Sequence, residues 1–225
     1  MTKYVSASEL TPYKTLFDKA FRKVQSEARK SGLTFEHHLV GSAKRNLVVD
    51  HHNKGFDCDY QLYLQKNTQN LSAKQIKELL MELFDKYIPN SFYECENSTS
   101  SITISKVNPT ESKKEFTYDI VILKDVDSIP QILRVVKQGN SLMYQWNKLP
   151  EMKHFIERFK LIQGTQMWDD LRERYYKKKM DKINGVRYHD KKSFQIFHEA
   201  VNETLQKFHI WTTKGAKIAP FIYNL

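Results

Sequence analysis

The chain has 225 residues, enough to bury a substantial core in one large domain or in two small ones. Apolar residues make up 40% of it and aromatic residues 12%, which excludes an intrinsically disordered chain. Lys and Arg number 36 against 26 Asp and Glu, and the resulting charge of +10 favours a polyanionic partner such as a triphosphate or RNA. A merely soluble basic protein has the same charge balance.

Cysteine content argues against a disulfide-rich protein, and hydropathy argues against a membrane-spanning one. The two cysteines, Cys58 and Cys95, are too few for a disulfide framework, so reduced thiols are expected. The first residues, MTKYVSASELTPYK, lack the apolar stretch of a signal peptide. No apolar run approaches the roughly 20 residues that span a bilayer. We therefore expect a cytoplasmic protein without a membrane segment, and its oligomeric state is left open.

Local signals predict most of the helices and strands before Pro150. Thr11-Pro12, a capping residue followed by proline, predicts the start of the first helix, and Gly32 predicts its end. Further along, apolar residues alternate with period two in strands and recur every three or four residues in helices. The next predicted elements are, in order, strands at 33–40 and 56–64, a helix at 72–87, strands at 102–104 and 116–123, and a hairpin with arms at 132–136 and 142–146.

Beyond Pro150 the pattern changes to helices, predicted at 151–162, 168–179 and 194–208. We therefore divide the chain into an α/β core at residues 1–150 and a C-terminal helical portion at residues 151–225. The predicted fold class is α/β (α+β), a mixed and twisted sheet with helices on one side, followed by a helical domain.

Three features follow one another on these predicted elements. Gly41-Ser42 closes a strand, Asp57 and Asp59 lie two apart on the next strand, and Asp119 lies on a later one within FTYDIVIL. Side chains two apart on a strand point to the same face, so Asp57 and Asp59 can bind cations together. A third carboxylate from a neighbouring strand completes an oxygen-rich site suited to Mg²⁺ or Mn²⁺.

Each part of this combination has a simpler explanation when it is taken alone. An Asp-x-Asp pair is more often a solvated outer face, and a Gly-Ser pair has no meaning by itself. Found together, in this order and on these predicted elements, the three features favour a functional site over a solvated face. A glycine between a strand and a helix lets the backbone approach a phosphate, to which the next serine and free amides can donate.

VGSAKRN, FDCDYQLYL and FTYDIVIL, in this order after an N-terminal helix, resemble the DNA polymerase β-type nucleotidyltransferase superfamily. The layout is most similar to the branch of the oligoadenylate synthetases and cyclic-dinucleotide synthases. The resemblance implies two Mg²⁺ or Mn²⁺ ions, with Asp57 and Asp59 holding both and Asp119 holding the one nearer the attacking hydroxyl, which it helps to deprotonate. It also implies that Gly41 and Ser42 bind triphosphate oxygens in a cleft beneath the helical domain.

The sequence departs from that superfamily in the loop at 43–56, which is long. The loop carries Asp50, His51 and His52 where the superfamily usually has a compact stretch of Gly, Thr and Ser. The two histidines are a candidate contact to the triphosphate, although solvated residues are the simpler explanation for them.

The strongest basic segment lies in the second predicted helix of the C-terminal portion. On a helix, Arg172, Tyr175 and Lys179 lie within one arc, so the two cations can neutralise phosphates while the tyrosine stacks on a base. The alternative is a helix that packs Leu171 and Tyr175 inward and leaves a solvated basic face. The resemblance favours nucleotide binding by Arg172, Tyr175 and Lys179.

The function that we expect is metal-dependent transfer of a nucleoside monophosphate from a nucleoside triphosphate to a hydroxyl acceptor, with release of pyrophosphate. The acceptor is a second nucleotide, an RNA 3′ end or a small molecule. One alternative is a toxin-like nucleotidyltransferase that modifies tRNA or protein. Another is a non-catalytic relative that binds nucleotide or RNA, although the presence of all three carboxylates argues against it.

Overall fold

The computed structural model describes residues 4–49, 55–89, 95–108, 113–188 and 190–208, with the backbone alone at 107–108 and 113–115. These residues form two compact units, Tyr4–Leu149 and a second unit from Pro150 onward. The described strands, all in the first unit, are β1 (Leu33–Leu39), β2 (Phe56–Asn67), β3 (Cys95–Asn97), β4 (Ile102–Asn108), β5 (Lys113–Val126), β6 (Ile129–Gln138) and β7 (Ser141–Lys148). The helices are α1 (Ala7–Lys30), α2 (Gly41–Lys44), α3 (Ala73–Tyr87), α4 (Lys153–Ile162), α5 (Met167–Ile183) and α6 (Ser193–Lys207).

The strands of the first unit form one mixed sheet. Its order is β1-β2-β5-β4-β3, while β6 pairs with β5 and β7 pairs with β6. β2 and β5 are parallel, and the other described pairs are antiparallel. Parallel neighbours need a long connection, and here the chain passes through α3 and the β3–β4 hairpin before it returns as β5. The connection makes two strands that are distant in sequence adjacent at the centre of the sheet.

One face of this sheet is packed against α1 and α3. Phe17 of α1 stacks on Tyr60 of β2 with 3.7 Å between ring centroids. The Tyr118 hydroxyl of β5 donates to the backbone carbonyl of Tyr13 at 2.6 Å. Cys58, between the aspartates of β2, is also fully buried in this core. Since side chains alternate along a strand, the aspartates next to these core residues point to the opposite face.

The first helix begins earlier than the sequence predicted. It starts at Ala7 rather than at Thr11-Pro12, because Ser6 and Glu9 form a capping box in which each side chain accepts from the backbone amide of the other. These two hydrogen bonds stabilise the first turn. Pro12 therefore lies inside the helix, one turn after its start.

The second unit has an aromatic core of its own between its helices. Phe159 of α4 meets Phe197 of α6 edge-on at 5.3 Å, and Tyr175 of α5 meets the same ring edge-on at 5.6 Å. In the first turn of α5, Asp170 accepts from Arg174 at 2.6 Å and from Lys207 at 2.5 Å. The three helices are thus held together by ring packing and by an ion-pair network.

A membrane span would need a long and continuously apolar helix. Among the helices of the described residues, none has that length and composition.

Candidate functional site

The parallel pair β2 and β5 brings the aspartates of the sequence motif together. Asp59 and Asp119 are Cα partners in this pair, and Asp57 is the partner of Thr117. Paired residues of neighbouring strands point to the same face, and the strands lie roughly 4.8 Å apart. Asp57, Asp59 and Asp119 therefore share the face of the sheet opposite α1 and α3. Asp57 is exposed, and the other two are half-buried.

The turn after β1 lies directly against one of these carboxylates. Gly41 has φ +63°, and a Cβ built on it would lie 1.8 Å from Oδ2 of Asp59. The backbone amide of Val40 also donates to the Asp59 carbonyl at 2.9 Å. Only glycine combines this backbone conformation with such a close approach. The turn at Gly41 is thus placed beside Asp59 of the Asp-x-Asp pair.

Ser42 lies in the single turn of α2, whose amides face no capping side chain. The N-cap residue is Val40, whose side chain cannot accept a hydrogen bond. The Ser42 carbonyl accepts from the amides of Arg45 and Leu47 at 3.1 and 2.9 Å, which fixes the turn. Its side chain is half-buried, and it follows directly after Gly41. A hydroxyl and first-turn amides of this kind can donate to anionic oxygens.

The third carboxylate is oriented by a threonine that the sequence analysis did not single out. Thr103 of β4 is the Cα partner of Asp119, and its hydroxyl donates to Oδ1 of Asp119 at 2.7 Å. The Thr103 oxygen lies 3.0 Å from the Ser98 hydroxyl and 3.3 Å from the Ser101 hydroxyl. The alternation in Ile102-Thr-Ile104 is the sequence signal for this residue, because it places the threonine opposite the two buried isoleucines.

By their chemistry, the three carboxylates fit a hard divalent cation, since such ions prefer oxygen ligands. Their side chains do not form a closed set of ligands in this arrangement. Within the part of the chain that the structure describes, no group of three or more His, Cys, Asp or Glu side chains is close enough to hold a metal ion. Asp59 rests against Gly41 and Asp119 against Thr103 instead. A cation bound by all three would draw these carboxylates closer together.

Cys58, which separates the two aspartates of β2, is not a further ligand. Its side chain lies on the core face, where burial, together with the charges of Asp59 and Asp57, raises the pKa of the thiol to about 12 despite the opposing charge of Lys14. Metals are bound by the thiolate rather than by the thiol. Among the described residues, the candidate ligands of this site are therefore oxygen atoms.

The three predicted nucleotide-binding residues of α5 differ in their surroundings. Arg172 and Lys179 are partly exposed, and Lys179 donates to the Ser193 hydroxyl at 2.8 Å. Tyr175 is only 2% exposed and packs against Phe197. Its ring belongs to the core of the helical unit, so it offers no face on which a base could stack. This corrects the sequence-based expectation for Tyr175 and matches the alternative in which Leu171 and Tyr175 point inward.

The remaining predicted feature, the loop with Asp50, His51 and His52, lies outside the described residues. Its relation to the aspartates stays a prediction.

Comparison with solved structures places this fold among the cyclic dinucleotide synthases. The chain is similar to CdnE of Elizabethkingia meningoseptica (TM-score 0.51, 11% identity, 84% of this chain and 68% of that one). It is also similar to DncV of Escherichia coli in a 3′-deoxy GTP bound form (0.59, 12%, 90% and 69%) and to DncV of Vibrio cholerae in a 3′-deoxy ATP bound form (0.54, 15%, 83% and 50%). No family model and no curated protein matches the sequence.

These neighbours confirm the predicted fold class, a mixed sheet with helices. Cyclic dinucleotide synthases belong to the DNA polymerase β-like nucleotidyltransferase superfamily, the group that the three sequence motifs resemble. The chain spans about two thirds of the E. coli protein and half of the V. cholerae protein. The similarity concerns the fold, and the activity of the chain follows from its site only as a proposal.

Proposed function

We propose that this chain is a metal-dependent nucleotidyltransferase, which transfers a nucleoside monophosphate from a nucleoside triphosphate to a hydroxyl acceptor and releases pyrophosphate. The observation that carries the proposal is the in-register pairing of Asp59 with Asp119 beside the Gly41 turn. Together with Asp57 on the same face, this arrangement combines an oxygen-rich cation site with a close-approach turn for phosphate. Neither a solvated strand nor a structural ion pair requires both features.

The resemblance of the three motifs to the nucleotidyltransferase superfamily suggests a role for each residue. The acceptor hydroxyl oxygen bonds to the α-phosphorus, the bond from that phosphorus to the bridging oxygen breaks, and pyrophosphate leaves. Asp57 and Asp59 would hold two Mg²⁺ or Mn²⁺ ions, and Asp119 would share the ion nearer the attacking hydroxyl. When bound, these ions stabilise negative charge on the attacking and leaving oxygens. Ser42 and the first-turn amides would bind the triphosphate, and Asp119 would help to take the acceptor proton.

The acceptor that we favour is a second nucleotide. The structural neighbours are named as cyclic dinucleotide synthases, and their structures include forms bound to GTP and ATP analogues. A linear or cyclic oligonucleotide would then be the product. The partly exposed cations Arg172 and Lys179 of α5 are proposed to bind the triphosphate, in agreement with the net charge of +10.

The same site is compatible with three other functions. An RNA 3′ end as acceptor would give an extended RNA, and a toxin-like enzyme would label tRNA or protein. A non-catalytic relative would bind the nucleotide without turnover. The product therefore separates these functions, whereas nucleotide binding alone does not.

The test is pyrophosphate release from each of the four nucleoside triphosphates, with Mg²⁺ and with Mn²⁺, with mass analysis of the product. Reactions run without an added acceptor, with RNA and with tRNA. Turnover that needs a divalent ion and is lost in Asp57→Asn supports the proposal, and the product mass identifies the acceptor. If neither metal nor triphosphate binds to the protein, the proposed function is wrong.

A further inference from the structure

The Thr103 hydroxyl is the centre of a small hydrogen-bond network whose directions can be worked out from proton counts. A hydroxyl has one proton and two lone pairs. The carboxylate of Asp119 accepts the Thr103 proton at 2.7 Å. The hydroxyls of Ser98 and Ser101, at 3.0 and 3.3 Å, must therefore be donors to the Thr103 oxygen. Both serines thus direct the Thr103 hydroxyl toward Asp119, and each bond in such a chain strengthens the next.

These serines belong to the loop at residues 98–101, between β3 and β4, which is held from two sides. The amide of Val135 on β6 donates to the Thr99 carbonyl at 2.7 Å. From α3, the ammonium group of Lys77 donates to the Ser98 carbonyl at 2.6 Å. The hydrogen-bond network that ends at Asp119 therefore begins at a lysine in another element of the same unit.

Lys77 is an unusual residue for this task, because it is only 1% exposed. Burial lowers the pKa of its ammonium group to about 8, and no carboxylate among the described residues offsets that effect. A methionine would fill a similar volume of the core without the cost of burying a charge. What only the lysine provides at this position is a hydrogen-bond donor that reaches the loop.

We propose that Lys77 is a positioning residue for Asp119: it fixes the 98–101 loop, whose serines orient the Thr103 hydroxyl, which in turn holds Oδ1 of the carboxylate. The second oxygen, Oδ2, then keeps a defined direction toward the shared face of Asp57 and Asp59. Carboxylates that bind metals are commonly held by outer hydrogen bonds of this kind, whose loss costs about 10- to 100-fold in metal affinity or activity. The inference rests on the proposed function, because it assumes that Asp119 binds a cation.

The decisive variants are Lys77→Met, which keeps the buried stem and removes the donor, and Thr103→Val, which removes the hydroxyl. Mn²⁺ binding is measured by electron paramagnetic resonance in the presence of a non-hydrolysable triphosphate, so the readout does not need turnover. Each variant should weaken Mn²⁺ binding by about 10-fold or more. Because both act through one network, the double variant should bind Mn²⁺ no more weakly than Thr103→Val alone.

Lys74→Met is the matched control, since Lys74 is an exposed residue of the same helix with an ion pair to Glu78 at 3.7 Å. It should leave Mn²⁺ binding unchanged. In steady-state kinetics, Lys77→Met should lower kcat while the KM for the triphosphate stays within about two-fold, because Asp119 acts on the cation and not on triphosphate binding. The Ser98→Ala variant tests the next link of the network separately, because it removes one donor to Thr103 and keeps the carbonyl that Lys77 binds.

Unchanged Mn²⁺ affinity in Lys77→Met, or additive losses in the double variant, would overturn the positioning role. Loss of Mn²⁺ binding with intact folding by circular dichroism supports it. If the wild-type protein binds Mn²⁺ and responds to these substitutions but releases no pyrophosphate, the positioning role stands and the proposed transfer reaction fails. If the wild-type protein binds no Mn²⁺, both are wrong.

Discussion

Gly41 lies so close to Asp59 that any side chain at position 41 would meet Oδ2 of the carboxylate, with a Cβ placed 1.8 Å from it. The backbone at Gly41 also has φ +63°, a conformation that other residues adopt at a cost. Two independent constraints, one on the backbone and one on space, therefore meet at the residue that joins β1 to α2. The proposed phosphate-binding turn and the proposed cation site are parts of one packed arrangement.

Gly41→Ala should disable the site through this contact. The methyl group would push Asp59 away from its position or shift the turn, and we expect triphosphate turnover to fall by about 100-fold, equivalent to about 2.7 kcal/mol of transition-state stabilisation. Gly139→Ala is the control, because Gly139 has a similar φ of +59° and a Cβ at that position would meet nothing within 4 Å. It should lose about 1 kcal/mol of folding stability and no activity. Equal activity of the two variants would contradict the contact argument.

Asp59→Asn and Asp119→Asn keep the size of the side chain and remove its charge. If these groups hold the cations, each change should lower turnover by on the order of 10³-fold while the melting temperature changes little. Asp127→Asn is a matched control, since Asp127 is exposed in the β5–β6 turn and its positive φ of 51° suits asparagine. Pyrophosphate release and thermal unfolding measure both effects, and full activity of either site variant would refute the cation site.

The double variant Arg172→Ala, Lys179→Ala should weaken triphosphate binding. Removal of two partly exposed cations should raise the dissociation constant by about 10-fold at low salt, and the difference should shrink as salt screens the charges. Lys177→Ala, at an exposed position of the same helix, is the control and should bind like the wild type. Titration calorimetry at two salt concentrations tests this. If the double variant binds the triphosphate normally, Arg172 and Lys179 belong to a solvated basic face and not to a binding site.

The helical unit should depend on Asp170 for stability. Its side chain is 12% exposed and accepts from Arg174, Lys207 and Thr204. Asp170→Asn should lower the free energy of unfolding by about 2 kcal/mol at pH 7, because charged partners lose their acceptor. Asp169→Asn, an exposed neighbour on α5, should change it little. Denaturant unfolding of both variants provides the comparison. Equal stability of the two would contradict the claim that Asp170 stabilises the helical unit.

The same residue predicts a direction of pH dependence. Burial raises the pKa of Asp170, but hydrogen bonds from Arg174, Lys207 and Thr204 outweigh it, so the pKa in the folded protein lies below its usual 3.8. The unfolded chain then binds the proton first as the pH falls below about 4, which lowers stability. The stability advantage of the wild type over Asp170→Asn should therefore be full at pH 7 and should fade as the pH drops through the lowered pKa. An advantage independent of pH would contradict this assignment.

Local patterns in the sequence were sufficient for most of the fold. Period-two alternation identified β2 and β5, and the Gly139 turn identified the β6–β7 hairpin. The start of α1 was wrong, because the capping box of Ser6 and Glu9 outweighs the proline signal at Pro12. Lys77 was overlooked although it lies four residues after Ala73 and three before Leu80, which places it on the buried stripe of α3. The helical period predicts that position 77 is buried, but a lysine is not expected at a buried position.

The sequence by itself determined which residues carry the candidate chemistry, because the spacing of Asp57 and Asp59 on one strand is a local property. It also determined that a third carboxylate, Asp119, lies on a strand with a buried opposite face. Only the tertiary structure decided that Asp59 and Asp119 are in register, since strand pairing depends on the whole sheet. It likewise decided that Tyr175 packs against Phe197 and that Thr103 holds Asp119. Such contacts join residues from different elements, and their geometry depends on how those elements pack.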